Sequence, residues 1–288
     1  MNVLVTGGSG FLGSYVVDVL LDRGYTVKIV DREQPRQSKV DFLDIDVTDY
    51  EAITEAIRGV DVVYHLAAVA DIEEAQQRPL NTVKVNILGT ANVLEASRIN
   101  GVKRVVLASS VYVYSKYGSF YRVSKQTCES LCETYYEIYN LSYTIIRYGS
   151  LYGPRAGKDN RIFNIINEAL TKGRITYTDV AESREFIHVY DAARYSVEIL
   201  DEKYENCCVL LTGEQRIRIN ELVEMVNEIF GNRLKIVRSN ELNESHYKRT
   251  PYFLKETHAK RIALDHYVDL GEGILNYIYE LKKEKGDI

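Results

Sequence analysis

"VLVTGGSGFLGSYVV", residues 3–17, runs from an apolar stretch into a glycine-spaced turn and out into an amphipathic segment. Val3, Leu4 and Val5 form the short apolar run of a buried strand. Gly7, Gly10 and Gly13 follow at three-residue intervals. Leu12, Val16, Val19 and Leu20 then recur with helical spacing up to Gly24, a stop signal. A strand, a glycine turn and a helix in that order make a phosphate cradle. Glycine serves the tight turn, the close approach of backbone to a pyrophosphate and the close packing of helix on strand, and the helix N-terminus then faces the phosphates. The next apolar run, "TVKIV" (26–30), ends at Asp31. A carboxylate there accepts hydrogen bonds from both ribose hydroxyls of a dinucleotide and repels a 2′-phosphate. The expected cofactor is NAD, with Arg32 beside Asp31 as the feature that tempers the preference over NADP.

The alternation continues. "VDVVYHLA" (60–67), "KRVVLAS" (103–109) and "YTIIRY" (143–148) are almost continuously apolar, as strands covered on both faces of a parallel sheet must be. Helical periodicity over about 50–58, 79–99 and 122–140 separates them. Repeated β-α units predict an α/β fold, a Rossmann-type doubly wound parallel sheet with ligands at the carboxyl ends of its strands. After Gly153-Pro154 the pattern loosens into helices near 160–172, 191–200, 219–229 and 271–284, with a short strand near 186–190. We expect a dinucleotide-binding domain over 1–153. Residues 154–288 would form mainly a smaller mixed α/β substrate lobe, with some elements returning to the first domain.

Of the 288 residues, 27% are charged and the net charge is −5, with no basic stripe of the kind that binds nucleic acid. The longest nearly apolar stretch, "VVYHLAAVA", falls far short of the ~20 residues that span a bilayer. The N-terminus enters the glycine turn too early for a signal peptide. Cys128 and Cys132 share a helix face with no histidine near in sequence, and Cys207 and Cys208 are adjacent. All four read as packing residues, with no metal site, in a reducing cytoplasm.

Seven stretches in one order carry a resemblance: "TGGSGFLG" (6–13), "DVTD" (46–49), "HLAA" (65–68), "NILGT" (86–90), "RYGSLYGPR" (147–155), "REFIHVYDAA" (184–193) and "DLGEGI" (269–274). The chain resembles, over its whole length, the NAD-dependent nucleotide-sugar epimerase/dehydratase family of extended short-chain dehydrogenases. The resemblance implies a cofactor site of Gly7, Ser9, Gly10, Phe11, Leu12, Gly13, Asp31, Arg32, Asp46, Val47, Leu66, Ala67, Ala68, Asn86, Ser109, Tyr121, Lys125 and Tyr148. It implies substrate contacts from Ser110, Ser150, Asn160, Arg184 and Arg249, with Arg184 on the diphosphate of a nucleotide-diphosphate sugar. His65 reads more simply as a buried strand-end histidine satisfied by backbone than as a base.

Hydride transfer in such a site needs a base that takes a hydroxyl proton. A tyrosine, ordinarily of pKa about 10, serves only where positive charge stabilises its phenolate, and a lysine four residues on along one helix face supplies that charge. In a chain with 23 tyrosines this spacing alone decides nothing. Tyr112 and Lys116 have it, as do Tyr121 and Lys125, and Tyr279 and Lys283. Tyr121 opens "YRVSKQTCESLCETYYEIYN" (121–140), an amphipathic helix. Tyr112 lies just past a strand, between two valines and ahead of Gly118. Tyr279 is in the terminal helix, far from the phosphate turn. Tyr121 and Lys125 are therefore the pair, and the resemblance adds Ser110 as the third catalytic residue. The segment between Ser110 and Tyr121 is shorter than the family usually has.

In the same resemblance, 4,6-dehydratases carry Asp-Glu where this chain has Val111 and Tyr112, and decarboxylases carry Glu at the second position. Neither residue here is an acid. Two outcomes remain: C4 epimerisation through a transient 4-keto intermediate, or net 4-dehydrogenation or ketosugar reduction. A non-catalytic dinucleotide sensor is the third alternative, and the retained base and lysine argue against it. Departures from the pattern at Gly149 and Ser150 mark an altered pocket. Apolar and tyrosine-rich faces on 79–99 and 122–140 match the family's four-helix interface and predict a homodimer.

Overall fold

The computed structural model describes residues 1–178, 182–239 and 259–286. β1 (Asn2–Thr6), α1 (Phe11–Asp22), β2 (Thr26–Asp31), β3 (Asp41–Asp44), α2 (Tyr50–Ala56) and β4 (Val62–His65) open the chain. α3 (Ile72–Gln77), α4 (Pro79–Thr82), a π-helical turn (Val83–Leu88) and α5 (Gly89–Ile99) lead to β5 (Arg104–Ser110). A 3-10 turn (Val111–Tyr114) precedes the long helix α6 (Ser119–Tyr139) and β6 (Tyr143–Tyr148). Then come β7 (Ser150–Tyr152), α7 (Arg161–Lys172), β8 (Arg174–Thr178), β9 (Ser183–His188) and α8 (Val189–Glu198). β10 (Cys207–Leu211), β11 (Arg216–Arg218), α9 (Ile219–Ile229), β12 (Lys235–Ser239), β13 (Lys260–Arg261) and α10 (Leu270–Lys285) follow.

One parallel sheet of eight strands, in the order β13-β10-β6-β5-β4-β1-β2-β3, carries the fold. The order reverses between β1 and β4, where Thr6 pairs with His65, and a ligand crevice opens at such a reversal. Leu4, Val5, Ile29, Val63 and Val106 are fully buried because helices cover both faces. Each such side chain contributes about 1.5–3 kcal/mol through burial. α1 and α8 help enclose the core on one face, and α2, α5 and α6 on the other. α8 and β10, both beyond residue 153, thus pack on and extend the large sheet. Edge strand β3 is only half-buried, with Asp41 and Asp44 exposed, which hides it from an apolar-run search. Among the described residues no helix is long and apolar enough to cross a membrane.

A second core holds Tyr152, Ile162, Ile166, Phe186, Leu222, Val226, Ile274 and Tyr277, built around the small sheets β11-β9-β7 and β12-β8. Phe11 at the start of α1 packs against it, so the glycine turn sits where the two cores meet. The helix expected over 79–99 is continuous but carries the π turn at 83–88, whose widened ring no 3.6-residue pattern reveals. The one expected from 122 starts at Ser119, after Gly118 turns the chain at φ +95°.

Candidate active site

Asp49, Asp71, Asn160 and Asp269 cap α2, α3, α7 and α10 with their side chains, whereas α1 starts at Gly10 with no side-chain cap. Its first N–H groups therefore face the turn, and they have no intrahelical acceptor. The turn is closed by Gly7 N donating to Val30 O at 2.9 Å and Gly10 N to Gly7 O at 3.2 Å. A Cβ on Gly13 would stand 2.0 Å from Gly7 O, and one on Gly7, at φ +73°, 2.6 Å from Ala67 N. The backbone is thus held closer than any side chain allows, as a pyrophosphate cradle requires.

Asp31 ends β2 beside this turn, accepting from Ser9 N at 2.9 Å and from Arg32 N at 2.7 Å. The Arg32 guanidinium lies 3.7 Å from the Asp46 carboxylate and away from Asp31's oxygens. Asp46 accepts from Thr48 N and Oγ1, and Val47 packs under Gly89. Leu66, Ala67 and Ala68 form the loop after β4, with Leu66 N and Ala67 N donating to Thr6. Uncapped helix, cramped glycine turn and strand-end carboxylate together fit a bound NAD.

Several expected cofactor residues are buried and bonded to protein groups. Asn86, in the π turn, is 1% exposed. Its amide accepts from Val69 N at 2.7 Å and donates to Val69 O at 3.0 Å and to Ser124 Oγ at 2.9 Å, stitching the loop after β4 to α6. Tyr148 is buried with its hydroxyl 2.6 Å from Ser196 Oγ. Ser109 donates to Glu129 Oε1 at 2.5 Å, and Arg147 grips the same carboxylate with Nε at 2.9 Å and Nη2 at 2.7 Å. His65 is buried as expected, but threonine hydroxyls and not backbone satisfy it: Nδ1 lies 2.8 Å from Thr6 Oγ1 and Nε2 2.9 Å from Thr90 Oγ1. Burial, joined by the nearby Lys125 charge, brings its pKa down to about 3. It is neutral at physiological pH and too weak a base to compete with a phenolate.

β5 ends at Ser110, and α6 brings Tyr121 up in its first turn. The Lys125 ammonium lies 5.8 Å from the Tyr121 ring centroid and donates to Ala108 O at 2.7 Å. Burial lowers the Lys125 pKa, opposed by Cys128 and Glu129. Lys116, in contrast, is exposed in a loop, and Tyr279 is 58% exposed on α10. Ser110 Oγ accepts from Tyr112 N at 3.3 Å, and the Tyr112 ring meets that of Tyr121 edge-on at 6.2 Å.

Ser110 and Tyr121 line a cavity of about 800 Å³ whose other walls carry Phe11, Ser150, Asn160 and Arg184. Four of the five expected substrate residues therefore share one cavity. Arg249 lies outside the described residues. Asn160 is busy structurally, accepting from Phe163 N to cap α7 and donating to Leu151 O at 2.8 Å. The space over Gly149 is occupied by Thr212, whose Cγ2 would stand 2.9 Å from an added Cβ. Arg161, Asn164, Glu182 and Tyr112 also line the cavity and were not singled out in the sequence as substrate contacts. Arg161 stands next to Asn160, and Glu182 two residues before Arg184, but only the fold joins them.

Residues 3–207 match the model of the NAD dependent epimerase/dehydratase family. A UDP-N-acetyl-alpha-D-glucosaminuronate decarboxylase of Bacillus cytotoxicus is 30% identical over 264 residues, covering 81% of this chain and 82% of its own. The crystal structure of a Thermotoga maritima UDP-glucose 4-epimerase with UDP-glucose superposes with a TM-score of 0.84 at 25% identity, covering 99% of this chain and 100% of that one. A Thermus thermophilus UDP-glucose 4-epimerase in complex with NAD gives 0.82 at 25% identity, over 98% and 99%.

Proposed function

The chain belongs to the NAD-dependent epimerase/dehydratase family, and from that premise we propose that it inverts C4 of a nucleotide-activated sugar through a transient 4-keto intermediate. One observation carries the reading. Ser110 and Tyr121 stand on one wall of a cavity whose other walls hold Arg161 and Arg184, with the Lys125 ammonium 5.8 Å from the Tyr121 ring. NAD, when bound, supplies the acceptor and donor of hydride at C4. Tyr121 takes the C4 hydroxyl proton and later returns it. The Lys125 charge stabilises the phenolate that proton transfer requires, and Ala108 O holds that ammonium in place. Ser110 Oγ, which lines the same cavity, hydrogen-bonds the reacting oxygen in this reading.

Val111 and Tyr112 stand where an eliminating or decarboxylating relative would carry an acid, which favours a reaction confined to oxidation and reduction at one carbon. The cavity volume, about 800 Å³, accommodates a keto-sugar turning to offer its other face. The test is incubation of the purified holoenzyme with UDP-, GDP-, CDP- and dTDP-sugars, following products by chromatography and absorbance near 340 nm. An epimer formed without net NADH supports the proposal. Stoichiometric NADH marks a 4-dehydrogenase instead, and absence of any epimer or ketone overturns the reading.

We also propose a homodimer. Leu80, Val83 and Leu88 along α4 and the π turn, and Phe120 and Val123 on α6, are exposed apolar side chains on the two helical runs expected to form an interface.

A further inference from the structure

Tyr121 is the third residue of α6, a helix that starts after the left-handed Gly118 with no side-chain cap. Helix ends fray, because their first N–H groups have no intrahelical acceptor. A base mounted there gains its placement from groups outside its own helix. Lys125, one turn deeper, is tied down by Ala108 O. The Tyr121 ring instead packs into a small buried cluster with Ile72 of α3, Val111, Tyr112 and Leu210 of β10. Within it the Tyr112 and Tyr121 rings meet at 6.2 Å between centroids and 77° between planes, the edge-to-face geometry that aromatic pairs favour. The supporting ring is itself fixed. Tyr112 is buried in the 3-10 turn, where its N–H donates to Ser110 Oγ at 3.3 Å and its carbonyl accepts from Ser115 N at 2.8 Å. Its Cδ1 fills the space that a side chain at position 118 would need. One residue thus meets Ser110 through its backbone and Tyr121 through its ring, and all three line the cavity.

We infer that Tyr112 is a positioning residue: its ring holds the Tyr121 phenol, and its N–H orients the Ser110 hydroxyl, so that both meet one oxygen of a bound sugar. The inference rests on the reading of Tyr121 as the base. Tyr112 transfers no proton itself and acts through Tyr121. Misplacing a reacting group by about 1 Å costs about 10²-fold in rate, which sets the scale of the effect. Leucine at this position keeps apolar bulk but offers no aromatic edge or face, whereas phenylalanine keeps the ring.

The experiment measures kcat and KM of the NAD-loaded protein with whichever of the UDP-, GDP-, CDP- and dTDP-sugars the wild type turns over. It compares wild type, Tyr112→Leu and Tyr112→Phe, and also Tyr121→Phe with and without Tyr112→Leu, each checked for an intact melting transition. Tyr112→Leu is expected to lower kcat by about 10- to 100-fold while KM stays within about threefold, the mark of an interaction that counts in the transition state. Tyr112→Phe is expected to recover most of that loss. In the Tyr121→Phe background the same Tyr112→Leu change should move kcat by less than about twofold, because two residues that act as a unit are not additive. An equal loss in both backgrounds makes Tyr112 a packing residue only and overturns the inference. A raised KM with unchanged kcat overturns it too, by showing a ligand contact in place of positioning, as does Tyr112→Phe falling as low as Tyr112→Leu. Should Tyr112→Leu lose its melting transition, Tyr112→Met, longer and able to refill the space, takes its place with the same expectations. An active wild type with an unaffected Tyr112→Leu overturns the positioning role alone. A wild type that turns over no sugar nucleotide refutes the underlying reading, and the inference falls with it.

Discussion

Acid should destabilise this protein through His65, and the effect can be isolated. The ring is 2% exposed and strung between Thr6 and Thr90, tying β1 and β4 to α5. Its pKa drops to about 3 in the fold, from an ordinary value near 6.5, first through burial and then through the Lys125 charge. The folded ring binds its proton less tightly than the unfolded one. Stability is therefore complete above about pH 6.5 and is lost as pH falls below that, down to about 3. At about 1.4 kcal/mol per pH unit the loss between pH 7.5 and pH 5 comes to about 2 kcal/mol. That is a large share of the roughly 5–15 kcal/mol that holds a domain folded. His188, lowered by burial to about 4, acts in the same direction, and the buried carboxyls of Glu185 and Asp191, raised by burial, act against it. Comparison with His65→Gln cancels those contributions, because a glutamine amide can donate to one threonine and accept from the other without titrating. Urea unfolding of both proteins at about pH 7.5, 6 and 5 is the assay. Wild type should lose about 2 kcal/mol more than the variant over that span. Equal losses would refute the assignment of a neutral, proton-resistant ring.

Three further outcomes follow from the site and the surface. Gly13→Ala puts a methyl 2.0 Å from Gly7 O, so the turn must open and NAD affinity, followed by fluorescence titration, should fall at least about tenfold. Tyr121→Phe should lower kcat by about 10²–10⁴-fold while leaving NAD binding intact, and near-wild-type turnover would end the proposed role of the phenol. Leu80→Asp with Val123→Asp places charge on side chains that are 84% and 44% exposed; sedimentation should show a dimer for wild type, as proposed, and a monomer for the variant, and a monomeric wild type would refute the proposed interface.

The fold was legible because its central strands are buried on both faces. Runs such as "VLVT" and "YTIIRY" read as strands because helical periods flank them in alternation, and the helices between them kept their period. β3 escaped because an edge strand flanked by aspartates looks like a turn. "CCVLL" (207–211), buried beside β6, escaped because short apolar runs are ambiguous without their neighbours. Among candidate site residues, those whose placement follows from local spacing were readable: the glycine turn, Asp31 beside it, and Tyr121 with Lys125 on one helix face. Asn86 was found as a motif residue, but its work of holding Val69 shows only in three dimensions. Arg161 and Glu182 were invisible for the same reason, since neither belongs to a pattern until α7 and β9 come together.

The 3-10 turn and the left-handed Gly118 connect Ser110 to α6 through residues 111–118 alone. Ser110 and Tyr121 are thereby joined by a short, tightly packed turn, with Tyr112 wedged so closely that a methyl on Gly118 would come within 2.7 Å of its ring. Residues of α7 and β8 line the same cavity without taking part in that tight packing, so a designer seeking new ligand preferences has more freedom there than at the turn.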